Sequence, residues 1–163
     1  MIKRVAKYLL MFAFFLALQF IVAPMLVIDE VQPDFLLIGV IVAALRHGAI
    51  PAIFTGFWTG LAQDAVVSHL LGLEALSKSV AGFVAGYLAK NKAKFDLQST
   101  AGMAFLAALA DHLIRDTIYY FNNDFGFFYV VARFAVPNAL YTVVFVVIFR
   151  TVWADLFKRS TRE

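Results

Sequence analysis

Lys78 and Arg115 stand deep inside apolar sequence, and both have acidic residues at helical spacing. Glu74 precedes Lys78 by four residues, Asp111 precedes Arg115 by four, and His112 precedes Asp116 by four, so each pair shares or adjoins a helix face. Arg133 is a third basic residue in an apolar stretch, and Asp64 closes another such stretch. An ionisable group at the centre of a bilayer costs about 2.5–3.5 kcal/mol, so these residues are expected to be paired, turned inward or functional. Asp64, Glu74 and Asp116 against Lys78, Arg115 and Arg133 make a set whose charges cancel. Three chemistries fit it: a polar network holding helices together, a polar contact site for another membrane protein, or a ligand or ion site. A proton relay through Asp111 and His112 lacks matching acids along a continuous route.

Catalytic constellations are not found. There is no HExxH, no Ser-His-Asp arrangement that stands out, and no glycine-rich loop before a phosphate-binding Lys. The three histidines lack metal-ligand spacing, and with no cysteine there is no thiolate ligand, thiol nucleophile or disulfide. Neither a cofactor nor a metal is expected.

The elements that must carry these charges are membrane spans. With 63% hydrophobic residues, 18 Phe and a mean hydropathy of +0.82, the chain has too little polar surface to cover a soluble globule. A net charge of +3 does not indicate nucleic acid, because the basic residues are not gathered in one patch. Six apolar stretches are expected to cross the bilayer, at about 8–28, 34–45, 49–63, 73–89, 100–121 and 127–149, as one domain over 1–163.

Of the 14 Lys and Arg residues, all but Lys78, Arg115 and Arg133 fall at one set of span ends. They are Lys3, Arg4 and Lys7, then Arg46, then Lys90, Lys92 and Lys94, then Arg150, Lys158, Arg159 and Arg162. The alternate connections hold Asp29, Glu30 and Asp34, then Asp64 and His69, then Asp124, without a basic residue. The positive-inside rule therefore puts both termini in the cytoplasm, and puts the intramembrane charges in the outer half. The first stretch also resembles a signal peptide, but its apolar run is long and Ala23-Pro24 makes a poor cleavage site, so an uncleaved span is expected. Reading the second and third stretches as one kinked span would put Lys90, Lys92 and Lys94 outside, so charge favours two short spans turning at Arg46-His47-Gly48. Pro137 is expected to kink the sixth span. Tyr119, Tyr120, Phe127, Phe128 and Tyr129, with Trp153 at the other end, suit interfacial belts.

Glycine spacing supplies contacts between spans. Gly56, Gly60 and Asp64 recur at four-residue intervals on the third span, as do Glu74, Lys78, Gly82 and Gly86 on the fourth. Small residues four apart let helix backbones approach closely, so these two spans are expected to pack together and bring Asp64 near Lys78. The same stripes could instead dock a partner's helix.

Pro33-Asp34 opens the second span and Ala44-Leu45-Arg46-His47-Gly48 closes it. Then come Gly56-Phe57-Trp58-Thr59-Gly60-Leu61-Ala62-Gln63-Asp64, Leu71-Gly72-Leu73-Glu74-Ala75-Leu76 and Gly82-Phe83-Val84-Ala85-Gly86-Tyr87. Taken in order, these segments carry a resemblance to the family of rod shape-determining protein MreD. It spans about residues 33–90; beyond them the match is one of hydropathy, length and span position. Ser68-His69-Leu70 departs from the glycine- or proline-rich turn often found there, and Glu74 replaces a neutral polar residue, so the Glu74–Lys78 pair would be particular to this branch.

The resemblance implies an all-α integral membrane protein, a compact six-helix bundle similar to the substrate-binding components of energy-coupling-factor transporters. It implies a non-enzymatic part in cell elongation and peptidoglycan synthesis, with MreC as the membrane partner and RodA, a penicillin-binding transpeptidase and MreB filaments as members of the complex. Helix packing would fall to Pro33, Asp34, Gly56, Gly60, Asp64, Gly72, Gly82 and Gly86. Partner contact would fall to Asp64, Glu74, Lys78, Arg115, Asp116 and Arg133. The alternative is a transporter component that binds a small solute among the outer-leaflet charges.

Overall fold

Six helices account for the elements of a computed structural model that describes residues 2–67, 70–90, 96–120 and 126–153, apart from the side chains of residues 2–9 and 67. The side chains of Lys3, Arg4 and Lys7, together with Ser68, His69, Lys92, Lys94, Asp124, Lys158, Arg159 and Arg162, lie outside the described residues. Helix α1 runs over Ile2–Ala17 and continues through a π turn at Leu18–Val22 and a 3₁₀ turn at Ala23–Leu26. Then follow α2 (Phe35–His47), α3 (Ala49–Val67), α4 (Leu73–Lys90) and α5 (Leu97–Tyr119). Helix α6 spans Phe127–Val152, with a π turn at Val131–Ala135 inside it.

Both π turns stand just before a proline. Pro24 follows the turn in α1 and Pro137 the turn in α6. Proline lacks the N–H that would bond to the carbonyl four residues back and its ring crowds that carbonyl; one extra residue in the preceding turn relieves the clash without ending the helix. In α6 the π turn stands just ahead of Pro137, where the kink is expected.

Helix α2 is the hub. Its sequence is apolar around the whole circumference, which suits a helix enclosed by others, and every residue from Phe35 to Leu45 is buried. It meets α1, α3, α4, α5 and α6. At 13 residues it is about 20 Å long, too short to cross a bilayer core of about 30 Å, and a helix shielded on all sides need not match that thickness. Gly48 then reverses the chain at φ +87°, a conformation other residues avoid, so α2 and α3 are separate antiparallel helices. Among the described residues only Phe127–Val152 is long and apolar enough to cross a membrane by length and composition; Leu10–Leu26 and Phe35–His47 are shorter apolar helices.

Helices α3 and α4 form the closest pair, and their glycines face inward. A Cβ on Gly56 would overlap the Lys78 carbonyl, and one on Gly60 the Glu74 carbonyl and the Ala75 Cα. On the other helix, a Cβ on Gly82 would stand 2.6 Å from the Ala52 oxygen, and one on Gly86 would strike Ala49. The two stripes therefore fill each other and are not open to a partner's helix. By contrast, Gly102 on α5 has nothing within 4 Å of where its Cβ would be.

This difference gives a direct test. Gly60→Ala is expected to lower the thermal stability of the detergent-solubilised protein by about 1–3 kcal/mol, the range for overpacking a tight contact. Gly102→Ala is expected to be neutral or stabilising by up to about 1 kcal/mol, since alanine is the better helix former. Melting curves of the two variants beside the parent protein decide the matter.

Candidate functional site

The charged residues gather at one end of the bundle, where α2 and α4 begin and α5 ends. Asp34 is the N-cap of α2: its Oδ1 accepts from the Leu37 N–H at 2.9 Å, leaving Oδ2 free to face inward. The approach to this cap is clasped from both sides. The Phe35 N–H donates to Gln19 Oε1 of α1 at 2.8 Å, the Asp34 N–H to Thr142 Oγ1 of α6 at 3.1 Å, and the Gln32 N–H to Asn138 Oδ1 at 2.9 Å.

Lys78, fully buried on α4, sends its ammonium into this end. Nζ lies 2.7 Å from Asp34 Oδ2, 2.5 Å from Glu74 Oε2 and 3.9 Å from Asp111 Oδ2. One cation thus joins carboxylates from α2, α4 and α5. The three acids each offer an oxygen within 4.8 Å of the others, a spacing a metal ion could use. Here the ammonium supplies the positive charge instead, with three donors and no acceptor.

Arg115 extends the cluster along α5. Its Nε lies 3.0 Å from Asp116 Oδ1, its Nη1 3.8 Å from Glu74 Oε1, and its Nη2 meets His112 Nδ1. Asp111, Asp116 and His112 are all buried. Both Asp111 oxygens, Asp116 Oδ2 and His112 Nε2 have no hydrogen-bond partner among the described residues. Two cations face four carboxylates, Asp34, Glu74, Asp111 and Asp116, so the fully ionised cluster carries a formal charge of −2 with His112 neutral.

Its membership departs from the balanced set of three acids and three bases in two ways. Asp64 is not beside Lys78; it caps α4, accepting from the Gly72 N–H at 2.9 Å and from the Glu74 and Ala75 N–H groups at 3.1 Å each. A carboxylate one short loop before a helix start is captured by that helix's unpaired N–H groups, and Gly72 makes the turn at φ +94°. Arg133 is not in the cluster either. It clamps the turn between α1 and α2, with Nη2 2.9 Å from Asp29 Oδ2 and both Nη atoms 3.3 Å from the Asp29 carbonyl oxygen. In that turn Asp29 and Glu30 hold φ values of 50° and 69°, and Ile28 and Val31 exchange backbone hydrogen bonds of 2.9 Å.

Asp34 and Asp111 take the vacated places. Pro33-Asp34 opens the second span, the position at which the structure shows Asp34 capping α2. Nothing local marked its second oxygen as a partner for Lys78, and helical spacing paired Asp111 with Arg115 instead. Pro33 lies buried ahead of the cap, and Gly56, Gly60, Gly82 and Gly86 lie along the α3–α4 contact.

A family model for rod shape-determining protein MreD matches residues 2–159. No curated protein and no solved structure gives a match.

The cluster and the exposed clamp are expected to respond differently to loss of charge. Lys78→Met removes the shared counter-charge of three buried carboxylates and should cost about 3–5 kcal/mol of stability in detergent. Arg133→Gln removes a half-exposed pair and should cost less than about 1 kcal/mol. Comparable melting temperatures for the two variants would contradict this assignment.

Proposed function

This chain belongs to the family of rod shape-determining protein MreD, and from that premise we propose that it is a six-span, non-enzymatic component of the cell-elongation complex in the bacterial inner membrane. The family is one of membrane proteins with a role in rod-shape determination. In this reading the chain forms a single membrane domain with both termini cytoplasmic. Support comes from the basic residues at one set of helix ends, of which Arg46, Lys90 and Arg150 lie in the last turns of α2, α4 and α6.

One observation carries the mechanism: the polar groups of the bundle are turned inward and its flanks are apolar. Lys78, Arg115 and Arg133 each meet a carboxylate of this chain and the glycine stripes pair with one another, so neither set is left to grip a partner. That arrangement gives no support to a solute site among the charges. The protein then acts by lateral contact, as a rigid platform against which another protein's transmembrane helix rests. The α4 flank suits this role. Leu76, Phe83 and Tyr87 are exposed along one face, and the Phe83 and Tyr87 rings stack at 6.1 Å. MreC is the partner proposed for this face, with RodA, a penicillin-binding transpeptidase and MreB filaments reached through the assembled complex. The buried cluster holds the platform's shape.

A photo-crosslinking residue in place of Phe83, in native membranes, tests the reading. It should capture MreC, while one at Leu106, an exposed position on α5, should capture it far less. Capture of no elongation protein from position 83, with the chain at normal abundance, would reject the α4 flank as the contact.

A further inference from the structure

Away from the α4 flank, a groove of about 980 Å³ lies between α1 and α3, with α2 as its floor. Its walls come from Met11 and Phe15 on one side and Trp58 and Leu61 on the other, and its floor from Gly39 and Ala43. A Cβ on Gly39 would approach Phe15 Cδ2 at 3.2 Å, so this glycine keeps the floor low. Thr55 and Thr59 bring hydroxyls to the wall, but these donate to the carbonyls of Pro51 and Thr55 at 2.8 Å. Their polarity is satisfied within α3. The length of the groove therefore presents apolar surface.

Its end at the α2–α3 turn is different. Arg46 lines the groove there, in the last turn of α2 beside His47. Arg46 Nε is buried without a hydrogen-bond partner, and the guanidinium makes no ion pair among the described residues. A desolvated guanidinium edge with nothing to bind is costly, and its fork geometry matches a phosphate. A long apolar trough ending in a cation at a membrane interface has the form of an amphiphile with an anionic head.

We propose that this groove binds an anionic phospholipid of the cytoplasmic leaflet, with its phosphate at Arg46 and its acyl chains between α1 and α3. The inference rests on the six-span, termini-inside reading above, which places the α2–α3 turn at the cytoplasmic face. A partner's transmembrane helix is the weaker occupant: by the positive-inside rule its cytoplasmic end is itself basic and would face Arg46 with like charge. The apolar sides of the groove would accept either occupant; the cation selects the phosphate.

The test uses the full chain reconstituted in nanodiscs of phosphatidylethanolamine and phosphatidylglycerol, with lipids retained on release identified by native mass spectrometry. One retained phosphatidylglycerol per chain is expected, favoured roughly fivefold over phosphatidylethanolamine, the preference one basic residue near a headgroup supplies. Arg46→Gln should abolish the preference and Arg46→Lys should keep it. Ala62→Trp, which fills the groove from α3, should remove the retained lipid while circular dichroism stays unchanged. Equal retention of both lipids, or retention undiminished in Arg46→Gln and Ala62→Trp, overturns the proposal. So does a groove without lipid whose position 58 crosslinks to a protein in native membranes. Alkaline carbonate extraction separates the two failures: a chain released from membranes overturns the membrane reading as well, and a chain that stays without retained lipid overturns the lipid site alone.

Discussion

A lysine ammonium buried among three carboxylates organises one end of this bundle. A charge taken out of water is tolerated only where partners replace its hydration. Lys78 finds those partners on three helices: Asp34 at the start of α2, Glu74 one turn before it on α4, and Asp111 on α5. Each of the three is itself buried. Moving any one helix outward would leave a carboxylate and an ammonium both short of a partner, so the helices are constrained together rather than in pairs.

The same two α4 residues serve both of its sides. The carbonyls of Glu74 and Lys78 are the atoms against which Gly60 and Gly56 of α3 lie, while their side chains reach to α2 and α5. Asp64, at the end of the α3 stripe, accepts the Glu74 N–H and so fixes the height at which α4 begins. Backbone packing sets the position of α4 from one side and ion pairing from the other. An apolar flank stays exposed on α4, and a groove lies on the far side of α2.

Much of the helix layout could be read from the chain because its signals are local. Hydropathy marks six helices, glycine spacing points to the α3–α4 contact, and the four-residue interval from Glu74 to Lys78 gives an ion pair within α4. That the charges share one end of the bundle followed from their distance to the basic span ends. Rotation about each helix axis did not, and ion pairing between helices depends on it. Asp34 looked like a loop acid because its place at the span edge hides that its second oxygen turns inward. Asp64 and Arg133 share the cluster's end of the bundle but face a helix start and a surface turn instead. The polar clasps from Gln19, Asn138 and Thr142 were invisible for the same reason: each joins residues at least 16 apart in the chain.

In this member of a rod shape-determining family, one buried ammonium ties three helices together. The most direct measurement is the coupling between Asp34 and Lys78. Stabilities of Asp34→Asn, Lys78→Met and the double variant, taken by thermal unfolding in detergent, give it without reference to either residue's other contacts. A coupling of at least about 2 kcal/mol, with the double variant less damaged than the sum of its parts, is the predicted result. Additivity within about 0.5 kcal/mol would mean that the ammonium does not tie α2 to α4, and would contradict the account.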